Sequence, residues 1–239
     1  MRALYIYFLV FVHLILVSPI VFYRYIKYIV RGNEKDYNEI YKLTNFVFSS
    51  VFKFGNIKYD VVGYDKLKSI NNGFLVVANH QSYFDIPLLS LTFKNYGVSF
   101  ISKDSILKVP IISHYMKIMD CLFLDRENVK SGMKMIKDGG DLLKKGVNLV
   151  IFPEGTRTDS GIMRDFKSGS LKVATRKKSV IVPVSISHSH DLHPSSWKMK
   201  KGRAIIYIHS PIDANVYSEM SVKELNDFVE STVKSEVEL

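Results

Sequence analysis

The sequence predicts an α/β fold, a mixed sheet flanked by helices, with an N-terminal membrane-anchoring helical segment. Three observations carry that prediction. Short β-prone runs recur through residues 57–209, helical stretches alternate with several of them, and a long uncharged apolar run precedes them all. Such alternation argues for a sheet covered by helices.

The apolar run comes first in the chain. Residues 3–23 read ALYIYFLVFVHLILVSPIVFY, without Asp, Glu, Lys or Arg. About 20 apolar residues let a helix cross the hydrocarbon core of a bilayer. A secretory signal has a shorter apolar stretch, about 7–15 residues, and a small-residue cleavage site, whereas bulky SPIVFYRYIK follows here. Arg24, Lys27, Arg31 and Lys35 lie behind the run and only Arg2 ahead of it. For a spanning helix this places the rest of the chain at the cytoplasmic face. Pro19 also allows a bend into one leaflet, so spanning and monotopic insertion both stay open. Ile40, Leu43, Val47, Val51 and Phe54 form a second apolar stripe at helical spacing. It faces either lipid, with Lys42 and Lys53 at the headgroups, or a protein core. Residues 1–55 are thus assigned to membrane-anchoring helices and residues 56–239 to one α/β domain.

Within that domain, strands are expected at 57–62, 74–78, 98–102, 121–124, 147–152, 180–186 and 204–209. Helices are expected near 85–94, 105–116, 128–145 and 166–178. Ser221, followed three residues later by Glu224, is a capping box opening a C-terminal helix. Gly139 and Gly140 sit inside the third helix, where each costs roughly 1 kcal/mol against Ala, and predict a break or kink. No linker, repeat or low-complexity stretch divides the domain.

Charge narrows the partners. Lys and Arg number 33 against 23 Asp and Glu, a formal net charge of +10, which favours an anionic partner. The apolar run points to a phospholipid surface, and no zinc-finger spacing or RNA-recognition signature argues for nucleic acid. Cys121, the single cysteine, excludes an internal disulfide framework and a Cys-rich zinc site. No P-loop or dinucleotide fingerprint is present, so no nucleotide cofactor is indicated.

Two motifs carry the chemistry. Asn79-His80-Gln81-Ser82-Tyr83-Phe84-Asp85 follows the apolar strand FLVVA. Histidine accepts a proton near neutral pH, and an aspartate on its other ring nitrogen fixes the tautomer and stabilises the imidazolium. On a regular helix, side chains five residues apart point roughly 140° away from each other, so a His80–Asp85 pair needs a turn at the strand's end. The alternative is a turn in which Asn79 and Asp85 only cap the next helix. The second motif, Ile151 to Thr158, follows VNLVIF. There Gly155 permits a tight turn, Thr156 offers a hydroxyl and Arg157 a planar fork suited to phosphate.

Together these motifs resemble the glycerolipid acyltransferases, specifically the bacterial type of 1-acyl-glycerol-3-phosphate acyltransferase. The family's NHx4D block is matched by Asn79, His80 and Asp85, and its Asp-Arg block by Phe123-Leu124-Asp125-Arg126. FPEGTR is matched by Phe152 through Arg157, and V-P-V by Val182-Pro183-Val184. All four stand in family order, over roughly residues 56–212. Asp120 departs from the pattern, which has a small residue such as Gly there.

The resemblance implies acyl transfer from acyl-CoA or acyl carrier protein to the sn-2 hydroxyl of lysophosphatidic acid, giving phosphatidic acid at a membrane. His80 and Asp85 are the expected catalytic pair. Arg157 and Arg126, with Lys103 as a further candidate, are expected to hold the glycerol phosphate. Asn79, Glu154, Gly155 and Thr156 belong to the same expected substrate-binding set, Glu154 organising the loop or bonding a glycerol hydroxyl. No metal or cofactor is implied. The absence of a G-x-S-x-G elbow agrees with direct attack rather than an acyl-enzyme. Other acceptors remain open, namely glycerol 3-phosphate, another lysophospholipid or an ornithine lipid, as does a non-catalytic lipid-binding scaffold.

Two further clusters have bland readings beside sharper ones. His188, His190, Asp191 and His193 have the composition of a metal site or of a solvated rim. Lys198, Lys200, Lys201 and Arg203, beside Trp197, suit lipid headgroups, an acidic carrier, or an ordinary solvated hairpin.

Overall fold

The computed structural model describes residues 37–158, 160–192 and 199–238, and isolated positions between 4 and 26. The run 3–23 therefore lies largely outside the described residues, as do His193, Trp197 and Lys198. Most of its described apolar side chains, such as Leu4, Phe8, Phe11 and Leu16, are exposed. Among the described residues no helix is long and apolar enough to cross a membrane.

Helix α1 (Tyr37–Gly55) leads into β1 (Ile57–Val62). Then follow β2 (Leu75–Ala78), α2 (Asp85–Thr92), β3 (Ser99–Lys103), α3 (Pro110–Ile118), β4 (Leu122–Leu124) and α4 (Val129–Lys144). The chain continues through β5 (Leu149–Ile151), α5 (Lys172–Thr175), β6 (Ile181–Ser187), α6 (Ser189–Leu192), β7 (Gly202–Ile208), α7 (Ala214–Tyr217) and α8 (Val222–Lys234). The strands form one sheet in the order β1-β7-β6-β2-β5-β3-β4. Neighbours run parallel except β6 and β7. It is the mixed, helix-flanked sheet that the sequence predicts.

Alternation along the strands builds two cores. Val76 and Ala78 of β2 face one side, packing with Leu88 and Leu89 of α2 and Tyr41 and Phe52 of α1. Leu75 and Val77 face the other, with Met135 and Leu143 of α4, Val173 of α5 and Val229 and Val233 of α8. A strand covered on both faces reads as an unbroken apolar run rather than an alternating one, which is why FLVVA stands out.

The second apolar stripe is mostly core-facing. Val47 is buried, and Ile40, Leu43 and Val51 are half-buried against core residues, whereas Phe54 is exposed. Thr44 and Asn45 of the same helix bond Met119 and Ser90.

Three local expectations need correction. The helix expected over 105–116 is a 3₁₀ turn (Asp104–Lys108) followed by α3. Val109, extended at φ −97° and ψ 101°, precedes Pro110, whose ring disfavours the α region for the residue before it. The helix expected over 166–178 shrinks to α5, because the Phe166 N–H donates to Glu230 and the Lys167 N–H to the Pro153 carbonyl. Finally, α4 runs unbroken through Gly139 and Gly140. A Cβ on Gly139 would come within 2.7 Å of Val173 Cγ1, so the missing side chain lets α4 and α5 approach closely.

Asp120 takes φ 55°, a left-handed conformation that Gly adopts freely and Asp tolerates better than most side chains. The departure from Gly therefore leaves the turn before β4 intact. Arg203 forms an exposed cross-strand ion pair with Asp60 of the neighbouring β1.

Candidate active site

Because β2, β5, β3 and β4 are mutually parallel, their carboxyl ends share one edge of the sheet. Ligands of open α/β sheets bind at such an edge. The three blocks behind β2, β4 and β5 meet there.

The chain leaves β2 in a turn, so His80 and Asp85 fold back on each other instead of diverging around a helix. His80 Nδ1 lies 2.7 Å from Asp85 Oδ2. The same oxygen accepts the backbone N–H groups of Gln81 and Ser82, each at 2.7 Å. Oδ1 accepts the Ser189 hydroxyl at 2.5 Å. Asp85 is fully buried and is the first residue of α2, but the N–H groups it accepts lie in the turn ahead of that helix, and Phe84 at the N-cap position has no side-chain cap bond. The pairing of His80 with Asp85 is therefore present, and the alternative of Asn79 and Asp85 as mere helix caps is not.

The His80 side chain keeps 14% of its surface exposed, and its Nε2 makes no hydrogen bond to a described residue. The ring stacks on Phe152, centroids 4.0 Å apart and planes 14° off parallel. The third block thus supplies the apolar wall of the first.

Glu154 laces the two loops together. Its Oε1 accepts the His80 N–H at 2.6 Å and its Oε2 the Arg164 N–H at 2.8 Å. Thr158 N–H returns a bond to the His80 carbonyl at 3.1 Å, and Gln81 Nε2 reaches the Gly161 carbonyl at 2.9 Å. Burial pushes the Glu154 carboxyl up to about 7, opposed by the two backbone donors. Its place is that of a loop organiser.

The other expected residues spread over this edge. Asn79 is fully buried. Its amide donates to the Ile186 carbonyl on β6 at 2.8 Å and accepts the Ile186 N–H at 2.7 Å, which positions the turn from a buried place behind the site. Gly155 turns the third block at φ 76°, and Thr156 is exposed beside it. The Arg157 guanidinium carbon lies 3.4 Å from the Tyr83 ring centroid, a cation–π contact linking the two blocks. Arg126 and Gly155 line a cavity of about 200 Å³, otherwise mostly apolar, with Leu124, Met135, Ile136 and Phe152 in its wall. Phe152 therefore borders both the cavity and the imidazole. Lys103, exposed at the end of β3, has no place in that lining.

His188 lies 3.8 Å from Asp191 and 3.4 Å from Glu238. Among the described residues no group of three His, Cys, Asp or Glu side chains is placed to hold a metal. Sequence reasoning missed Ser189, which belongs to no block and stands in the segment with the composition of a metal site. Its link to Asp85 spans 104 residues and leaves no local pattern.

Glu154 makes stability pH-dependent in a defined direction. Its folded-state value near 7 exceeds the ordinary glutamate value of 4.5, so the folded chain holds this proton more tightly. The contribution of Glu154 to stability falls as pH rises from about 4.5 to about 7 and is flat beyond, a total of about 3 kcal/mol. His209, held low by burial, contributes the opposite slope. Glu154→Gln should abolish the first slope and keep the second. It should also destabilise the protein at pH 5, since an amide has one acceptor for two N–H donors. Denaturant titrations of both proteins at pH 5 and pH 8 check this, and equal pH dependence would overturn it.

Comparison with known proteins bears on the whole chain. Residues 58–187 match the family model described as Acyltransferase. Over 157 residues the chain is 33% identical to the chloroplastic 1-acyl-sn-glycerol-3-phosphate acyltransferase of Arabidopsis thaliana, covering 65% of this chain and 44% of that protein. It is 26% identical to the 1-acyl-sn-glycerol-3-phosphate acyltransferase of Borreliella burgdorferi, covering 76% and 72% respectively. The chain spans about half the length of the first curated relatives it matches. The crystal structure of the 1-acyl-sn-glycerophosphate acyltransferase PlsC from Thermotoga maritima superposes with a TM-score of 0.79 at 29% identity, covering 98% of this chain and 92% of that one.

Proposed function

This chain belongs to the acyltransferase family, and we propose that within it the protein acylates the sn-2 hydroxyl of 1-acyl-glycerol 3-phosphate to give phosphatidic acid. The donor is an acyl thioester, acyl-CoA or acyl carrier protein. The observation that carries this reading is His80, bonded through Nδ1 to buried Asp85 and open at Nε2.

With Nδ1–H held by the carboxylate, Nε2 is the basic nitrogen. It takes the proton of the acceptor hydroxyl as that oxygen attacks the thioester carbon. The C–S bond then breaks, and the imidazolium returns its proton to the departing thiolate. A positioned base contributes about 10²- to 10⁴-fold, and holding hydroxyl and thioester together up to ~7–11 kcal/mol. The mostly apolar cavity beside Phe152 suits an acyl chain. Arg126 at that cavity and Arg157 beside the first block give the acceptor phosphate cationic partners, with Lys103 further out. Gly155 and Thr156 shape the same turn.

The test is an assay of purified protein with one thioester donor and a panel of acceptors: lysophosphatidic acid, glycerol 3-phosphate, lysophospholipids with larger headgroups and an ornithine lipid. Preference for lysophosphatidic acid supports the reading. Preference for another acceptor replaces it, and no transfer to any leaves a lipid-binding scaffold.

The apolar run 3–23 acts as the membrane anchor, with the catalytic domain at the cytoplasmic face, while α1 (Tyr37–Gly55), expected to belong to that anchor, packs on the domain core instead. The exposed apolar side chains at positions such as Leu4, Phe8 and Leu16 support this. Salt screens exposed charges over about 10 Å at 0.1 M but leaves apolar burial in lipid intact. The protein should therefore sediment with membranes and resist extraction by high salt. Quantitative release by salt alone would show an electrostatic tether instead.

A further inference from the structure

We propose that Ser189 is a positioning residue for the His80–Asp85 pair, holding the carboxylate from the side opposite the imidazole. This rests on the functional reading above. The two carboxylate oxygens are unequally supplied. Oδ2 takes the imidazole and two backbone N–H groups, whereas Oδ1 has one described partner, the Ser189 hydroxyl at 2.5 Å. Ser189 and Asp85 are both fully buried, so no bulk solvent stands ready to replace that bond.

Ser189 Oγ has a second acceptor in reach, Gln81 Oε1 at 3.4 Å. One hydroxyl proton serves one of them well. The shorter bond to a carboxylate is the stronger, because an ionised acceptor roughly doubles a hydrogen bond's strength. With Oδ1 pinned, rotation of the carboxylate is blocked and Oδ2 stays aimed at Nδ1.

The backbone turns sharply just ahead of Ser189. Strand β6, hydrogen-bonded beside β2, ends at Ser187, and His188 then adopts φ 62°. A non-glycine residue in that region stores strain that the surroundings must hold. The C-terminal tail braces the turn from behind. Ser187 Oγ donates to the Glu236 carbonyl at 2.6 Å and accepts the Glu238 N–H at 2.9 Å, and the Glu238 carboxylate lies 3.4 Å from His188 Nε2.

A double-mutant cycle on the full chain in detergent micelles tests the proposal. Ser189→Ala should lower kcat about tenfold, the effect of one charge-assisted bond, with both KM values changed less than about twofold. In an Asp85→Asn background the same substitution should change kcat by less than about twofold, because residues acting through one contact are not additive. Equal losses in the two backgrounds, or a loss confined to KM, would overturn the proposal. A second readout needs no turnover. The Nδ1 proton resonance of His80, identified by its absence in His80→Ala, should shift or broaden in Ser189→Ala. If the wild type transfers no acyl group, the functional reading fails and this resonance still decides the positioning role. An unchanged resonance overturns it.

Discussion

His80→Ala should lose about 10²- to 10⁴-fold in kcat while remaining folded. Its backbone N–H still bonds Glu154, and the turn around Asp85 is held by Gln81, Ser82 and Ser189. Asp85→Asn should lose less, about 10²-fold. The two backbone N–H groups aimed at Oδ2 oppose an amide nitrogen at that place, so the amide oxygen stays against Nδ1 and the histidine tautomer is kept. What disappears is the charge that stabilises the imidazolium. Direct attack also requires that no acyl group remain on the protein. Radiolabelled acyl thioester with lysophosphatidic acid, run on wild type and both variants, measures all three effects. Robust transfer by His80→Ala would end the mechanism, and a chemically competent acyl-protein adduct would end direct attack.

Asn148→Ala should destabilise the protein by about 4 kcal/mol, because it removes a partner from the buried Phe74 N–H and Gly97 carbonyl, at about 1–3 kcal/mol each. Asn148 Oδ1 accepts the N–H groups of Gly73 and Phe74 at 2.7 and 3.3 Å. Its Nδ2 reaches Asn72 Oδ1 and the carbonyls of Tyr96 and Gly97, at 3.1, 3.1 and 3.0 Å. One side chain thus ties the entries of β2, β3 and β5 together, at the edge away from the dyad. Urea unfolding should show a lower midpoint with an unchanged slope, and kcat per folded molecule close to wild type. A loss under about 1 kcal/mol would mean that water or a backbone shift supplies the missing partners.

The sequence by itself determined the seven strands in their order, most of the longer helices between them and the blocks that follow the strands. Those features are written in local patterns: apolar runs of strand length, a capping box at Ser221 and Glu224, and ordered motifs behind apolar strands. It also held the need for a turn between His80 and Asp85, since their spacing fits no shared helical face. Tertiary structure decided what each motif residue does. Asn79 and Glu154 stand in the blocks beside Arg157, yet they are buried on backbone groups of Ile186, His80 and Arg164. Composition gave no means of separating them from residues that face the cavity. The closeness of Val173 to Gly139 turned a predicted break into an unbroken helix, because local propensity carries no term for a neighbour 34 residues away. Ser189 had no signal at all. A serine's chemistry is set by the acceptor it meets, and only the pairing of β6 with β2 brings that acceptor, Asp85, within reach.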